Sequence, residues 1–226
     1  MTIVSIDFSI IYPGVCICKD FKEYRWLAVV NSNTTKKHRS NLDDLVLKYP
    51  SINIVYTESK RRKDEQYHIT ERIKLHNYLE ATELLISELE KVVDKTDDLL
   101  IAIEGISFGS KGNALVDIAQ ATGIIKSKLI DTFLEGDVSR FFVFSPGELK
   151  NAIGCKGNAP KVDIFNAFKE DPLIESVKDS DLHKAVLKED WIVTNRGDIV
   201  SPIMDMIDAY LGVTKIHRIL DKNNPI

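Results

Sequence analysis

The sequence predicts an α/β fold with a central mixed sheet flanked by helices. Three observations lead there. Thr2-Ile3-Val4-Ser5-Ile6-Asp7-Phe8-Ser9 opens the chain with a β-branched, apolar run, the pattern of a buried central strand. Leu99-Leu100-Ile101-Ala102-Ile103-Glu104 repeats that pattern in mid-chain. Amphipathic stretches of helical period lie between and after these runs. Both runs close on a carboxylate, at the strand end where ligands gather in open α/β sheets. A buried carboxylate is costly unless a metal, a donor or water meets it.

The chain has 226 residues and a formal net charge of −4. Its length suits a single domain, with insertions expected near 31–70 and 171–201. No apolar run reaches the ~18–20 residues of a membrane span. No basic stretch precedes an apolar segment at the N-terminus, so no secretory signal is expected. Cys16, Cys18 and Cys155 make an odd set without a disulfide framework, which suggests a reducing, cytoplasmic setting. Cys16 and Cys18 alternate along a strand and share one face. With no second pair nearby, core packing fits them better than zinc. The acidic balance speaks mildly against nucleic acid, but clustered cations can follow a phosphate backbone whatever the overall sign. Lys36-Lys37-His38-Arg39, Lys60-Arg61-Arg62-Lys63 and the looser set Lys150, Lys156 and Lys161 are such clusters; each also fits a solvated surface.

In chain order, Tyr12-Pro13-Gly14 reads as a turn after the first strand. Strands are expected at 15–19 and 24–30, which completes a meander of three antiparallel strands. The polar stretch 31–40 reads as a loop, 41–47 as a short helix and 52–56 as a strand. Thr70 can cap a long helix to about residue 93, with Ile73, Tyr78, Leu79, Leu84, Leu85 and Leu89 as its apolar stripe. After Glu104 comes a Gly- and Ser-rich loop carrying Phe108 and Lys111. The helix over 113–135 buries Ala114, Leu115, Ile118, Ala119, Thr122, Ile125 and Leu129. A strand follows at 140–144. Ser145-Pro146-Gly147-Glu148 carries a capping box with proline at the first helical position. Pro160 opens a helix to about 168. The segment 171–201 is charged and weakly periodic, with a helix at 181–187 and a hairpin at 191–200. Pro202 starts the closing helix, 203–220, where Asp205 and Asp208 stand at i and i+3 on one face.

Asp7, Glu104, Asp205 and Asp208 form the chemical signal. Acids brought together repel, so such a group is stable only with cations between them. Oxygen donors without His or Cys select Mg²⁺ or Mn²⁺. Two such ions ~3.5–4 Å apart can activate water and stabilise a leaving oxygen in phosphodiester cleavage.

In its order of motifs the chain resembles the RNase H-like nucleases, and within them the RuvC-type Holliday junction resolvases. Ile6-Asp7-Phe8-Ser9 with Pro13-Gly14 resembles the family's first strand and turn. Ile101-Ala102-Ile103-Glu104, followed by Phe108, resembles its second acidic strand. Thr122-Gly123-Ile124-Ile125 sits in what looks like its central helix. Lys150, then Gly154-Cys155-Lys156-Gly157-Asn158-Ala159-Pro160-Lys161, resembles its Lys, Gly-x-Gly and Lys segment. Asp205-Met206-Ile207-Asp208-Ala209 resembles its closing Asp-x-x-Asp-Ala. The resemblance implies metal-dependent cutting of four-way DNA junctions. Asp7, Glu104, Asp205 and Asp208 would be ligands of two Mg²⁺ or Mn²⁺ ions per active site, with Lys161 beside them in catalysis. Phe108, Lys111, Lys150, Lys156 and Lys161 would contact DNA. It also implies a homodimer, for which the helix over 113–135 is the candidate interface, and the cytoplasm of a cell or of a phage-infected host. Phe8-Ser9 stands where many relatives carry Pro-Gly or Pro-Ser, and this variant resembles phage-encoded branches.

Two other readings keep the fold. One moves the substrate to flaps, other branched DNA or RNA–DNA hybrids, which the insertions could admit. The other is a catalytically silent module that binds nucleic acid, against which the presence of all four acids speaks. An actin-like kinase or ATPase also opens on a strand bearing Asp, but its Gly-rich phosphate hairpin and second repeat are missing here.

Overall fold

The first strand, β1 (Thr2–Asp7), lies inside a six-stranded sheet. The others are β2 (Gly14–Lys19), β3 (Glu23–Asn31), β4 (Ile52–Thr57), β5 (Leu99–Glu104) and β6 (Phe141–Phe144), in the order β4-β3-β2-β1-β5-β6. This computed structural model describes residues 1–9, 13–58, 66–96, 98–106, 112–170 and 172–223. Phe108, Lys111 and the run Lys60-Arg61-Arg62-Lys63 lie outside the described residues. β2 pairs antiparallel with β1 and β3, while β3/β4, β1/β5 and β5/β6 are parallel. The mixed sheet expected from the sequence is therefore observed, a three-strand meander followed by parallel strands. Only β2 runs against the rest, so the C-terminal ends of the other five share one edge.

Strand alternation sorts the sheet into two faces. Ile3, Cys16, Cys18, Trp26, Ala28, Ala102 and Phe144 face one core, and Val4, Ile6, Val15, Ile17, Leu27, Ile101 and Ile103 face the other. The two cysteines share a buried face, as expected. α2 (Tyr67–Glu90) and α3 (Asn113–Phe133) cover the second face, through Leu85, Ile86 and Leu89 and through Ile125, Leu129 and Phe133. The first face carries α1 (Lys36–Lys48), α4 (Pro146–Ala152), α5 (Lys161–Glu170), α6 (Asp181–Lys188) and α7 (Ile203–Asn223). α7 is the organiser there. Residues 202–214 are all buried, so this helix is enclosed all round rather than amphipathic.

Several local expectations are corrected. The stretch 31–40 is not all loop: the Thr35 side chain accepts from the His38 N–H, and α1 starts at Lys36. Burial of Leu42 and Leu45 holds it. α2 begins at Tyr67, so Thr70 lies inside the helix rather than capping it. Leu79 is 36% exposed, and Ala81, Thr82 and Ile86 take the buried positions beside Tyr78, Leu85 and Leu89. In α3 Ala119 faces outward. The hairpin expected at 191–200 reduces to one antiparallel bridge, Val193 to Ile199.

The charged segment 171–201 finds its purpose in packing. A 3-10 turn (Glu175–Asp179), α6 and a second 3-10 turn (Asp190–Ile192) send Ile174, Val177, Leu182, Ala185 and Ile192 into the core around α7. The Ile174 N–H donates to the Tyr210 hydroxyl at 3.3 Å. With α4 and α5, this segment completes the core that encloses the closing helix.

Candidate active site

Side-chain alternation along β1 sends Ile3, Ser5 and Asp7 towards α7, and along β5 it sends Leu100, Ala102 and Glu104 the same way. The parallel register pairs Ile6 with Ile103, so one step further sets Asp7 beside Glu104. Neighbouring strands are about 4.8 Å apart, close enough for the two carboxylates to repel. α7 brings Asp205 and Asp208 from its first turns. Its entry is held by glycine. Gly14 pairs with Asp7 across β1 and β2, and a Cβ there would overlap the Asp205 carbonyl and stand 2.6 Å from the Met206 nitrogen. Gly212 repeats the device one face down the helix, where a Cβ would overlap Ser5 Oγ and come within 3.3 Å of the Ala102 Cβ. Backbone contact at Gly14, and the seat of Gly212 on the Ser5 and Ala102 side chains, thus set the acids of α7 against those of the sheet.

Two lysines complete the group. The capping box expected at Ser145 and Glu148 is present and launches α4 from the end of β6. Lys150 Nζ donates to the Ala159 carbonyl at 2.7 Å, which ties α4 to the segment leading into α5. Lys161, the first residue of α5, places Nζ 3.3 Å from Asp208 Oδ2 with its side chain 62% exposed. Asp7, Glu104, Asp208, Lys150 and Lys161 line one cavity of about 270 Å³, whose apolar walls are Pro146, Leu149, Ile164 and Leu211. Asp205, 7% exposed, does not line this cavity, and its Oδ2 has no hydrogen-bond partner among the described residues. Lys156 is exposed and does not line the cavity either. The structure thus gathers Asp7, Glu104, Asp208, Lys150 and Lys161, with Asp205 one turn before Asp208 on α7, and leaves Lys156 outside.

Sequence reasoning missed Ser201, whose side chain pulls the Asp205 carboxyl's pKa down, and the packing role of Gly14. Ser201 carried a signal, since it stands just before the proline that opens the helix.

Charge in this cavity is unbalanced. Burial, then Glu104, Asp208 and Asp205, hold the Asp7 carboxyl well above the usual carboxylate range, against the pull of Lys161. Burial and Asp208 push Glu104 up to about 7. Burial pushes Asp208 up to about 6 despite Lys161, and burial raises Asp205 in spite of Ser201 and Lys161. Burial works against the charge on Lys161, but Asp208, Asp205 and Asp7 outweigh it, and its pKa rises.

This imbalance has a measurable effect on stability. Glu104 moves from an ordinary 4.5 to about 7 on folding, so its ionisation opposes the fold: the cost is absent below pH 4.5 and complete above pH 7. Glu104→Gln in chelator is expected to melt higher than the parent at pH 8, by roughly 1–2 kcal/mol or several degrees. The difference should close as the pH falls to 4.5. A variant that melts lower than the parent at pH 8 would contradict the repulsion.

A hard divalent cation suits this donor set. All four acids offer oxygen, none is a thiolate or imidazole, and Asp205 Oδ2 is a buried acceptor without a donor. Among the described residues no three of His, Cys, Asp and Glu are already drawn into a closed metal cage. The chemistry of the donors fits, and their mutual repulsion supplies the reason for a cation to bind.

No protein-family model and no curated protein matches the sequence. Among solved structures the chain is similar to Thermus thermophilus RuvC, at 10% identity and a TM-score of 0.48, with 97% of this chain and 96% of that chain covered. It is also similar to T. thermophilus RuvC in complex with Holliday junction substrate, at 13% identity and a TM-score of 0.49, with the same coverage. At these identities the likeness is one of fold. What the site does has to follow from its own residues.

Proposed function

We propose that this chain is a metal-dependent endonuclease that cuts branched DNA, and four-way junctions in particular, by phosphodiester hydrolysis. The observation that carries the reading is the meeting of Asp7, Glu104, Asp208, Lys150 and Lys161 in one cavity, with Asp205 one turn before Asp208 on α7. Carboxylates in excess call for cations, and lysines beside them call for a substrate that is itself anionic.

Asp7, Glu104, Asp205 and Asp208 would hold two Mg²⁺ or Mn²⁺ ions, which would supply Lewis acidity to ready a water and to offset charge on the leaving oxygen. The chain's own groups do the rest. Lys161 reaches across the mouth of the cavity and sets its ammonium where charge develops on the phosphate oxygens. Lys150, anchored on Ala159, adds a second fixed cation. Leu149, Ile164 and Leu211 keep bulk water from the far wall. The protein would act as a homodimer, because a two-fold pair presents two identical sites to a two-fold junction. α3 is the candidate interface: Val116 is exposed on it, next to an open cavity of about 800 Å³ shared with α2 and lined by Leu75, Ala119, Gly123 and Ile124.

The test is cleavage of a synthetic four-way junction beside linear duplex, flap and RNA–DNA hybrid, in Mg²⁺, Mn²⁺ or chelator. Paired symmetric nicks on the junction, lost with chelator, are expected. Preferential cutting of flap or hybrid would keep the site and move the substrate. Tight junction binding without cutting in any metal would remove the catalytic assignments.

A further inference from the structure

We propose that the first turn of α1 is a second phosphate-contact surface, which receives the nucleic-acid strand as it leaves the carboxylate cavity. The inference rests on the nuclease reading and adds an interaction surface to it. Its starting point is topological. β3 and β1 are parallel, so Asn31 at the end of β3 and Asp7 at the end of β1 lie on the same sheet edge. α1 begins five residues after Asn31 and packs Leu42 and Leu45 on the same face as α7. Asp7 is level with Gly14 and Gly14 with Ala28, so Asn31 extends three residues past Asp7 at that edge, and the N-terminus of α1 opens from the acid-bearing edge two strands over.

A contact ties that turn to the site. His38 Nε2 is 2.8 Å from the Ser201 carbonyl oxygen, and the His38 ring meets Trp191 edge to face at 6.2 Å between centroids. The Ser201 side chain is near enough to Asp205 to draw its carboxyl's pKa down against burial. Residue 201 thus lies between the basic turn and the acids that open α7.

The neighbours of His38 are the cations. Lys36, Lys37 and Arg39 are exposed, and among the described residues none makes an ion pair with a carboxylate. Arg39 lies over the Tyr56 ring at 4.4 Å, which fixes its guanidinium at the surface, while the Tyr56 hydroxyl donates to Asp43. Helix stability does not account for these residues. Cations at a helix N-terminus oppose its dipole, and the first turn of α1 holds no acid to favour it. A polyanion would find there both the lysine charges and the positive end of the helix.

Along the edge the acids then have two sets of cations: Lys150 and Lys161 in the cavity itself, and Lys36, Lys37 and Arg39 towards β3 and β4. The net charge of −4 hides this arrangement, because both basic groups sit on one edge.

The test compares two charge reversals of equal size. One is the triple variant Lys36→Glu, Lys37→Glu, Arg39→Glu. The other, Lys19→Glu, Lys22→Glu, Arg25→Glu, changes exposed cations at the opposite edge, where β2 ends and β3 begins. Binding of a synthetic four-way DNA junction is measured in Ca²⁺ over a range of salt, and cleavage is measured in Mg²⁺. The α1 variant is expected to bind 10–100-fold more weakly, with a salt slope lower by about 2–3, and to cut at a near-parental rate once saturated. Acids in the first turn favour the helix, so its melting temperature should not fall. Equal losses in both variants, or no loss in the α1 variant while the parent binds and cuts, would overturn the proposal and leave the nuclease reading standing. A parent protein that neither binds nor cuts any nucleic acid would sink both.

Discussion

Asp7→Asn is expected to lower cleavage of a preferred DNA substrate by about 10³-fold or more, a barrier increase of roughly 4 kcal/mol, while DNA binding stays within a few-fold of the parent. Asp7 is the acid on which the rest converge. Burial, then Glu104, Asp208 and Asp205, raise its pKa, and Lys161 lowers it. Asparagine keeps the shape and one oxygen but removes the charge that a divalent cation needs. The same change relieves repulsion, so in chelator the variant should melt at or above the parent at pH 8. Loss of activity together with undiminished stability separates a missing ligand from a damaged fold. The direction of binding is also informative, since removing a negative charge beside a phosphate cannot weaken its approach electrostatically. Single-turnover cleavage, filter binding and thermal melts on one preparation give all three quantities. Activity within tenfold of the parent would take Asp7 out of the reacting centre.

The parts of this site that could be read from sequence are those whose signal is local. β1 and β5 announce themselves as continuous apolar runs, and their closing acids need only the period of two to face α7. The spacing of Asp205 and Asp208 and the capping box at Ser145 are equally local. The seating of α7 is different. Asp205 and Asp208 look alike as an i, i+3 pair, yet Asp208 lines the cavity and Asp205 does not, and the seating that separates them rests on Gly14 and Gly212. The segment 171–201 was opaque for a related reason. Ile174, Val177, Leu182 and Ile192 follow no helical or strand period, and each is buried by elements distant in sequence, in the core shared with α7, α5 and β3. At α1, polar residues without a repeat concealed a helix start that Thr35 alone signals. Gly14 was legible as a turn residue beside Pro13, but it is the first residue of β2, and what requires glycine there is a helix joined to the chain almost two hundred residues later.

Gly14→Ala should therefore be a severe substitution for one methyl group. A Cβ at position 14 meets the Asp205 carbonyl and the Met206 nitrogen, all backbone, so no side chain can rotate out of the way. Either α7 lifts from the sheet or β2 withdraws from β1, and Asp7 sits on the one side and Asp205 on the other. Overpacking usually costs 1–3 kcal/mol, and a rigid contact belongs at the upper end, about 3 kcal/mol, or a fall in melting temperature of roughly 6–12 °C for a chain of this size. Because a displacement of about 1 Å can cost 10²-fold in rate, cleavage should fall by about that factor even well below the melting point. Gly212→Ala is the instructive comparison, since its new Cβ meets chiefly the Ser5 side chain. There, adding Ser5→Ala should restore much of the lost stability, whereas no truncation of a neighbouring side chain can rescue Gly14→Ala. Calorimetric melts of the three variants decide the matter. A Gly14→Ala protein with parental melting temperature and activity would mean that α7 does not rest on β2 as described, and that the placement of Asp205 and Asp208 must have another cause.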